Sequence, residues 1–399
     1  MTKTLFARTA FLLTLTSTLF AQEAPLVPGQ NAFSTDLYRT LKAKPGNLFI
    51  SPYNVSLVLD MAYIGARGKT KEEMAKVLYC TNSSDDTLST ENAKEIQFLS
   101  PGFQSFEALA IDNSYKPLPS YTEKLKKDFQ ADVLSVDFVK NKTAALAQIN
   151  GWVKQKTEGK IPFILQDSDV TDSTKLVLLA ASHFKKSWRD KFESSETKKA
   201  LFTTREDEKI EVDMMRQQAF MSFFETPQAL VAELNYAKEE NDKADYSCVI
   251  ILPTIKEMFP LIGDSLTEAQ INEWLKNSKR QMVELFLPKF KIDYQCSLKE
   301  PLESLGMRLA FTDKADFSAI SAANDLAIGK VLHRAFLQID ENGSEAAAAS
   351  AATMVMKAMA PIEKQAVMRC DTPFYLVIRE KTTGLFLFVA RVENPSAAT

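Results

Sequence analysis

Apolar residues recur at helical spacing through the first third of the chain. Asn54 to Ala66 carries a long apolar face, Lys69 to Leu78 continues in good helix formers, and Lys142 to Lys156 repeats apolar residues about a turn apart. Farther on the pattern changes. Leu176-Val-Leu-Leu179, Ser247-Cys-Val-Ile-Ile-Leu-Pro253 and Val283-Glu-Leu-Phe-Leu-Pro288 are short apolar or alternating runs of strand length. The chain closes with Phe374-Tyr-Leu-Val-Ile-Arg379, a turn at Lys381-Thr-Thr-Gly384, and Leu385-Phe-Leu-Phe-Val-Ala-Arg-Val392, the signature of a buried hairpin. Helices lead and strands follow, which predicts an α+β fold.

Composition adds little tension to that picture. Of 399 residues, 45% are hydrophobic and 25% charged, the balance of an ordinary globular protein with a large core. No linker, charge block or repeat divides the chain between Asn31 and Pro395, so one large domain is expected from residue 22 to 399. A formal net charge of -3 gives no field that would draw nucleic acid or an anionic membrane, and neither is expected as a partner. At the start, Lys3 and Arg8 precede an apolar stretch ending at Ala21, too short for a spanning helix; residues 1–21 read as a signal peptide and the protein as secreted, extracellular or periplasmic. Cys80, Cys248, Cys296 and Cys370 are scattered, with no CxxC pair and no neighbouring His. Buried thiols fit better than a disulfide framework, and no metal site is indicated.

An enzyme is not indicated either. The two histidines, His183 and His333, lie in no recognisable catalytic setting, and GxSxG, GxxxxGK[ST], HExxH and GxGxxG are all absent. Carboxylate pairs such as Glu239-Glu240 and Asp85-Asp86 sit in polar runs that read as solvated surface.

One segment stands apart, running from Ile339 to Pro361. Between Ala346 and Met356 it has no charge, no Pro and no Gly, so nothing forbids an uninterrupted strand. At period two, Ser344, Ala346, Ala348, Ser350, Ala352 and Met354 share a face, and all but the last are small. Such a strand could slide between two others without a prepared cavity. On composition alone the same run would also make a surface helix.

Motifs spread over nearly the whole chain decide between these. Asn47-Leu-Phe-Ile-Ser-Pro52, Gly65-Ala-Arg-Gly-Lys-Thr70, Asn150-Gly-Trp-Val153, Thr157-Glu-Gly-Lys-Ile161 and Phe184-Lys-Lys-Ser-Trp188 come first. Leu287-Pro-Lys-Phe290, Leu305-Gly-Met307, Ala315-Asp-Phe-Ser318, His333-Arg-Ala-Phe336, Glu341-Asn-Gly-Ser-Glu-Ala-Ala-Ala-Ala349, Asp371-Thr-Pro-Phe374 and Arg391-Val-Glu-Asn-Pro395 follow. In residues and order they resemble the serpin family. The resemblance implies three β-sheets and eight or nine helices, with an exposed reactive loop over about residues 341–361. It implies a suicide mechanism in which the protease's serine forms an acyl-enzyme and the cut loop enters the central sheet as a new strand. No cofactor is implied, and the inhibitor is expected to be monomeric.

Counting from the hinge glycine Gly343, the family's interval puts the reactive bond between Lys357 and Ala358. Lysine there suits a trypsin-like serine protease whose pocket ends in a carboxylate. The hinge residues are Glu341, Gly343, Ser344, Glu345, Ala346, Ala347, Ala348, Ala349 and Ser350. A non-inhibitory serpin, a chaperone or carrier, is the competing reading; its hinge would be expected to carry bulky, charged or proline residues, and this one is small apart from its glutamates. The stretch from Thr81 to Asn92, basic in heparin-activated relatives, is acidic here, so heparin is not expected to bind there. Asn342-Gly-Ser344 is a glycosylation pattern. A glycan there would obstruct insertion, which favours a source lacking the modification, such as a bacterial periplasm or exterior.

The resemblance assigns Lys289, Trp188, Ser51, Asn54 and His333 to the breach and shutter, the regions that control opening of the central sheet. Lys289 is expected to pair with Glu341. An asparagine that relatives place near the shutter histidine is Ala180 here, and Asn54 is expected to bond His333 in its stead.

Overall fold

The computed structural model describes residues 24–100, 102–323, 325–344 and 365–397. Among them are nine α-helices: α1 (Val27–Leu41), α2 (Pro52–Gly65), α3 (Gly68–Val77), α4 (Asp85–Leu99), α5 (Pro119–Asp128), α6 (Lys142–Lys156), α7 (Met258–Asp264), α8 (Glu268–Asn277) and α9 (Lys299–Leu305). The strands are β1 (Leu48–Ile50), β2 (Gln104–Asp112), β3 (Asp132–Val136), β4 (Leu176–His183), β5 (Lys186–Ser187), β6 (Lys198–Thr203), β7 (Lys209–Glu225) and β8 (Ala229–Asn235). They continue with β9 (Tyr246–Pro253), β10 (Lys279–Pro288), β11 (Phe290–Ser297), β12 (Ile328–Ile339), β13 (Gly343–Ser344), β14 (Ala366–Arg369), β15 (Phe374–Glu380) and β16 (Phe386–Val392).

The helical spacing of Asn54–Ala66 and Lys69–Leu78 becomes α2 and α3, and β4, β9, β10, β15 and β16 arise from the runs of strand length. The closing hairpin turns at Gly384, whose φ of 78° suits glycine, with the Glu380 N–H donating to the Leu385 carbonyl at 2.9 Å.

Seven strands form the central sheet. Its order is β3-β2-β4-β12-β13-β5, with β11 on the other edge of β12. The remaining nine strands form a network around the long β7, whose first half pairs with β6 and whose last residues pair with β8. Hydrogen bonding runs through β7 without a break, so these strands form one sheet in the order β1-β16-β15-β9-β8-β7-β10-β14, with β6 beside β7.

Helix α2 is predominantly apolar, and all 14 of its residues are buried, Asn54, Ser56 and Asp60 among them. It starts at Pro52 behind Ser51, whose hydroxyl caps it by accepting the Asn54 N–H at 3.3 Å. Its apolar side chains, each worth about 1.5–3 kcal/mol when buried, fill the space between the central sheet and the sheet that holds β16. On the opposite face of the central sheet, α6 packs Ile149, Trp152 and Val153 against Val177, Leu179 and Leu332. The sheet is thus covered on both sides where β4 and β12 meet.

Candidate functional site

The seam between β4 and β12 is parallel, in register from Ile328 with Leu176 to Phe336 with His183. Parallel ladders have slanted hydrogen bonds and are slightly less stable per residue than antiparallel ones. Above the seam, the free edge of β12 is taken by β13: Ser344 lies opposite Ile339, antiparallel. On its other side β13 runs antiparallel to β5, with Gly343 opposite Ser187 and Ser344 opposite Lys186. Since β5 continues the path of β4 after Phe184 and Lys185, residues 343–344 already occupy the top of the slot between β4 and β12.

Each side chain there has a local reason for its place. A Cβ on Gly343 would stand 2.1 Å from the Lys186 carbonyl oxygen, so glycine is needed for the backbones to meet. Ser344 is fully buried and shares a 2.6 Å hydrogen bond with the Tyr236 hydroxyl. Tyr236 is stacked at 4.5 Å on Trp188, whose indole N–H donates to the Asp340 carbonyl at 3.0 Å. The backbone N–H of Trp188 donates to the Asn342 carbonyl at 2.8 Å. Opposite Ser344, the ammonium of Lys186 is sealed from solvent against Asp242 at 2.6 Å.

Lys289 and Glu341 meet at 2.9 Å, and Thr197 donates its hydroxyl to the same carboxylate at 2.8 Å. Burial pushes the Glu341 carboxyl up, but the hydrogen bonds from Lys289 and Thr197 outweigh it and hold the group below its usual range. Glu341→Lys is expected to set two ammonium groups together and to cost on the order of 1–3 kcal/mol. Polymerisation on mild heating, followed by native gel electrophoresis, should then rise severalfold; an unchanged monomer fraction would show the pair to be unimportant.

At the middle of the seam one expectation fails. Asn54 does not bond His333. The imidazole is satisfied by backbone: its Nε2 accepts the Ser51 N–H at 3.0 Å, and its Nδ1 donates to the Ala180 carbonyl at 3.1 Å. That second bond crosses the seam. Burial depresses the His333 pKa to about 4, and the ring is neutral. The Asn54 amide instead donates to Glu107 at 2.6 Å. Glu107 lies opposite Ala180 on β2, as His333 does on β12. The space left by the missing side chain at Ala180 is thus flanked by a buried carboxyl that no sequence pattern announced.

Tyr236 and Asp242 were also invisible to sequence reasoning, and Lys186 stood in the Phe184-to-Trp188 motif without a role of its own. Lys186 follows another lysine and reads as surface. Glu345, Ala346, Ala347, Ala348, Ala349, Ser350, Lys357 and Ala358, and the proposed signal peptide, lie outside the described residues. All four cysteines are buried and unbridged.

Comparison with known proteins agrees with this architecture. Residues 28–395 match the family described as Serpin (serine protease inhibitor). A serpin-like protein of Thermococcus kodakarensis is 34% identical, with 94% of this chain and 87% of that protein aligned. The leukocyte elastase inhibitor of Sus scrofa is 35% identical over 91% of this chain and 97% of its own length. Among solved structures, human thyroxine-binding globulin complexed with thyroxine superposes with a TM-score of 0.84 at 27% identity, covering 94% of this chain and 99% of the globulin.

Proposed function

The chain belongs to the serpin family, and we propose that it is an inhibitor and not an enzyme, a suicide substrate for a trypsin-like serine protease cleaved between Lys357 and Ala358. The observation that carries this reading is the seating of Gly343 and Ser344 as a strand antiparallel to both β12 and β5. A chain continuing downward from Ser344 would part β4 from β12 and replace one parallel ladder with two antiparallel ones. The acyl-enzyme attached at Lys357 would be carried along; 15 extended residues from Gly343 span about 50 Å.

The likeness to thyroxine-binding globulin supports a second reading, a carrier whose loop does not trap. The small hinge side chains argue against it, since each can be buried in a sheet at little cost. Incubation with trypsin separates the readings. Inhibition gives an SDS-resistant 1:1 adduct; a carrier is cut at the loop without an adduct; a hydrolase leaves the loop whole and turns over a substrate of its own.

The same reading makes the protein an exported monomer without cofactor. Heparin is not a partner at the segment from Thr81 to Asn92, where Asp85 and Asp86 begin α4 and are paired with Lys71 and Lys124.

A further inference from the structure

Three carboxyls lie buried between the helices and the central sheet: Asp60 on α2, Glu95 on α4 and Glu107 on β2. Each accepts one hydrogen bond from a carboxamide on a different element. Gln30 of α1 donates to Glu95 at 2.8 Å, Asn92 of α4 to Asp60 at 2.9 Å, and Asn54 of α2 to Glu107 at 2.6 Å. In all three pairs the amide oxygen, Gln30 Oε1, Asn92 Oδ1 or Asn54 Oδ1, is buried with no donor among the described residues, and Glu95 Oε1 is equally without one.

An ionised carboxylate only accepts hydrogen bonds and cannot serve an amide oxygen. Turning the amide over does not help, because it sets oxygen against oxygen and strands the NH₂ instead. One proton on the carboxyl resolves each pair: the acid O–H donates to the amide oxygen while the amide N–H donates to the acid. We infer that Asp60, Glu95 and Glu107 are neutral carboxylic acids closed into two-bond rings with Asn92, Gln30 and Asn54, and that these protonated ties couple α1, α2 and α4 to β2 in a pH-dependent way.

The surroundings agree. Asp60 and Glu91 act on Glu95, and Asp60, Glu95, Glu107 and Tyr246 all act on Tyr53 of α2, whose own hydroxyl is buried without a partner. Beside Asp60 stand Cys80 and Tyr63, the latter also facing Asp85, while Lys71 acts on Cys80. The Glu107 carboxyl is hydrogen-bonded by Ser105 as well as by Asn54. Burial lifts Asp60 from 3.8 to about 7, and Glu107 and Glu95 from 4.5 to about 7 and about 8, against the opposing hydrogen bonds of their amides.

Because the folded values are raised, the stabilisation is complete below the ordinary values near 4 and is lost as pH climbs through 7 to 8. Each pH unit in that window shifts the folding equilibrium by up to about tenfold per carboxyl. Glutamine at position 95 would keep the ring closed without a proton. Thermal unfolding of the full chain at pH 5 and pH 8.5 should therefore show the wild-type midpoint falling by several degrees. Glu95→Gln should fall less and be at least as stable as wild type at pH 8.5. A variant less stable than wild type at pH 8.5, with the same pH slope, overturns the assignment. The wild type alone gives a second readout: infrared spectra with isotope-labelled Asp and Glu should contain the neutral carboxyl C=O band at pH 6 and lose it by pH 9, and its absence at pH 6 overturns the assignment equally. Neither measurement involves a protease, so the result is independent of the inhibitory reading.

Discussion

Ser344→Arg is expected to turn the protein from a trap into a substrate. The serine is fully buried between β12 and β5, its hydroxyl held by Tyr236 at 2.6 Å. In the uncut protein an arginine can withdraw from this two-residue strand toward solvent. Once the loop is cut and must enter the slot, the guanidinium has to be buried beside Trp188, Tyr236 and the ammonium of Lys186, with which it would have to share Asp242. At about 2–4 kcal/mol for an unsatisfied polar group, insertion slows relative to hydrolysis of the acyl-enzyme by roughly thirtyfold to several hundredfold. Gel analysis after incubation with trypsin should show full-rate cleavage and little adduct. Undiminished adduct would remove insertion past Ser344 from the mechanism.

The other large effect lies at the bait. Lys357→Glu should lower the rate of inhibition of trypsin-like enzymes on the order of 10⁴-fold, because a pocket ending in a buried carboxylate rejects a like charge and is left unpaired. Thermal stability should stay as in the wild type. Mass spectrometry of the peptide released from the wild-type protein checks the register: a new N-terminus other than Ala358 would move the reactive bond and make this substitution uninformative by design.

What could be read from the sequence was local or repeated. The hairpin of β15 and β16 is announced by two apolar runs around a Thr-Thr-Gly turn within 19 residues of chain, and α2 by its long apolar face. The pairing of Lys289 with Glu341 came from the family resemblance, since nothing in either segment points to the other across the intervening strands. The central polar contacts were not legible. Tyr236 and Ser344 are 108 residues apart, Asn54 and Glu107 are 53, and such pairs are set by how β2, β4 and β12 are ordered, which local patterns do not encode. Glu107, Asp60 and Glu95 look like surface acids by residue type, because the feature that sets them apart is burial beside an amide from another element. The expected bond between Asn54 and His333 failed for a related reason: polar groups in a core are satisfied by whatever lies nearest, and for the imidazole that was backbone on both sides.

The short strand β13 also fixes the order in which the sheet can be unmade. A sheet pulled apart in shear must lose all its cross-strand bonds together, whereas one opened from an end loses them singly. Here the end is already open and occupied, so on the inhibitory reading residues 343–344 would act as a toehold, and a following segment would advance by strand exchange. The first contact displaced is Phe336 with His183, and three pairs are exchanged before the front reaches His333 and its bond to Ala180. On the inhibitory reading every step before that point would trade one slanted pair for two antiparallel ones. The imidazole would then, on the same reading, act as a checkpoint part-way along the track, and a segment that stalled there would leave the lower seam, from Leu332 to Ile328, still zipped.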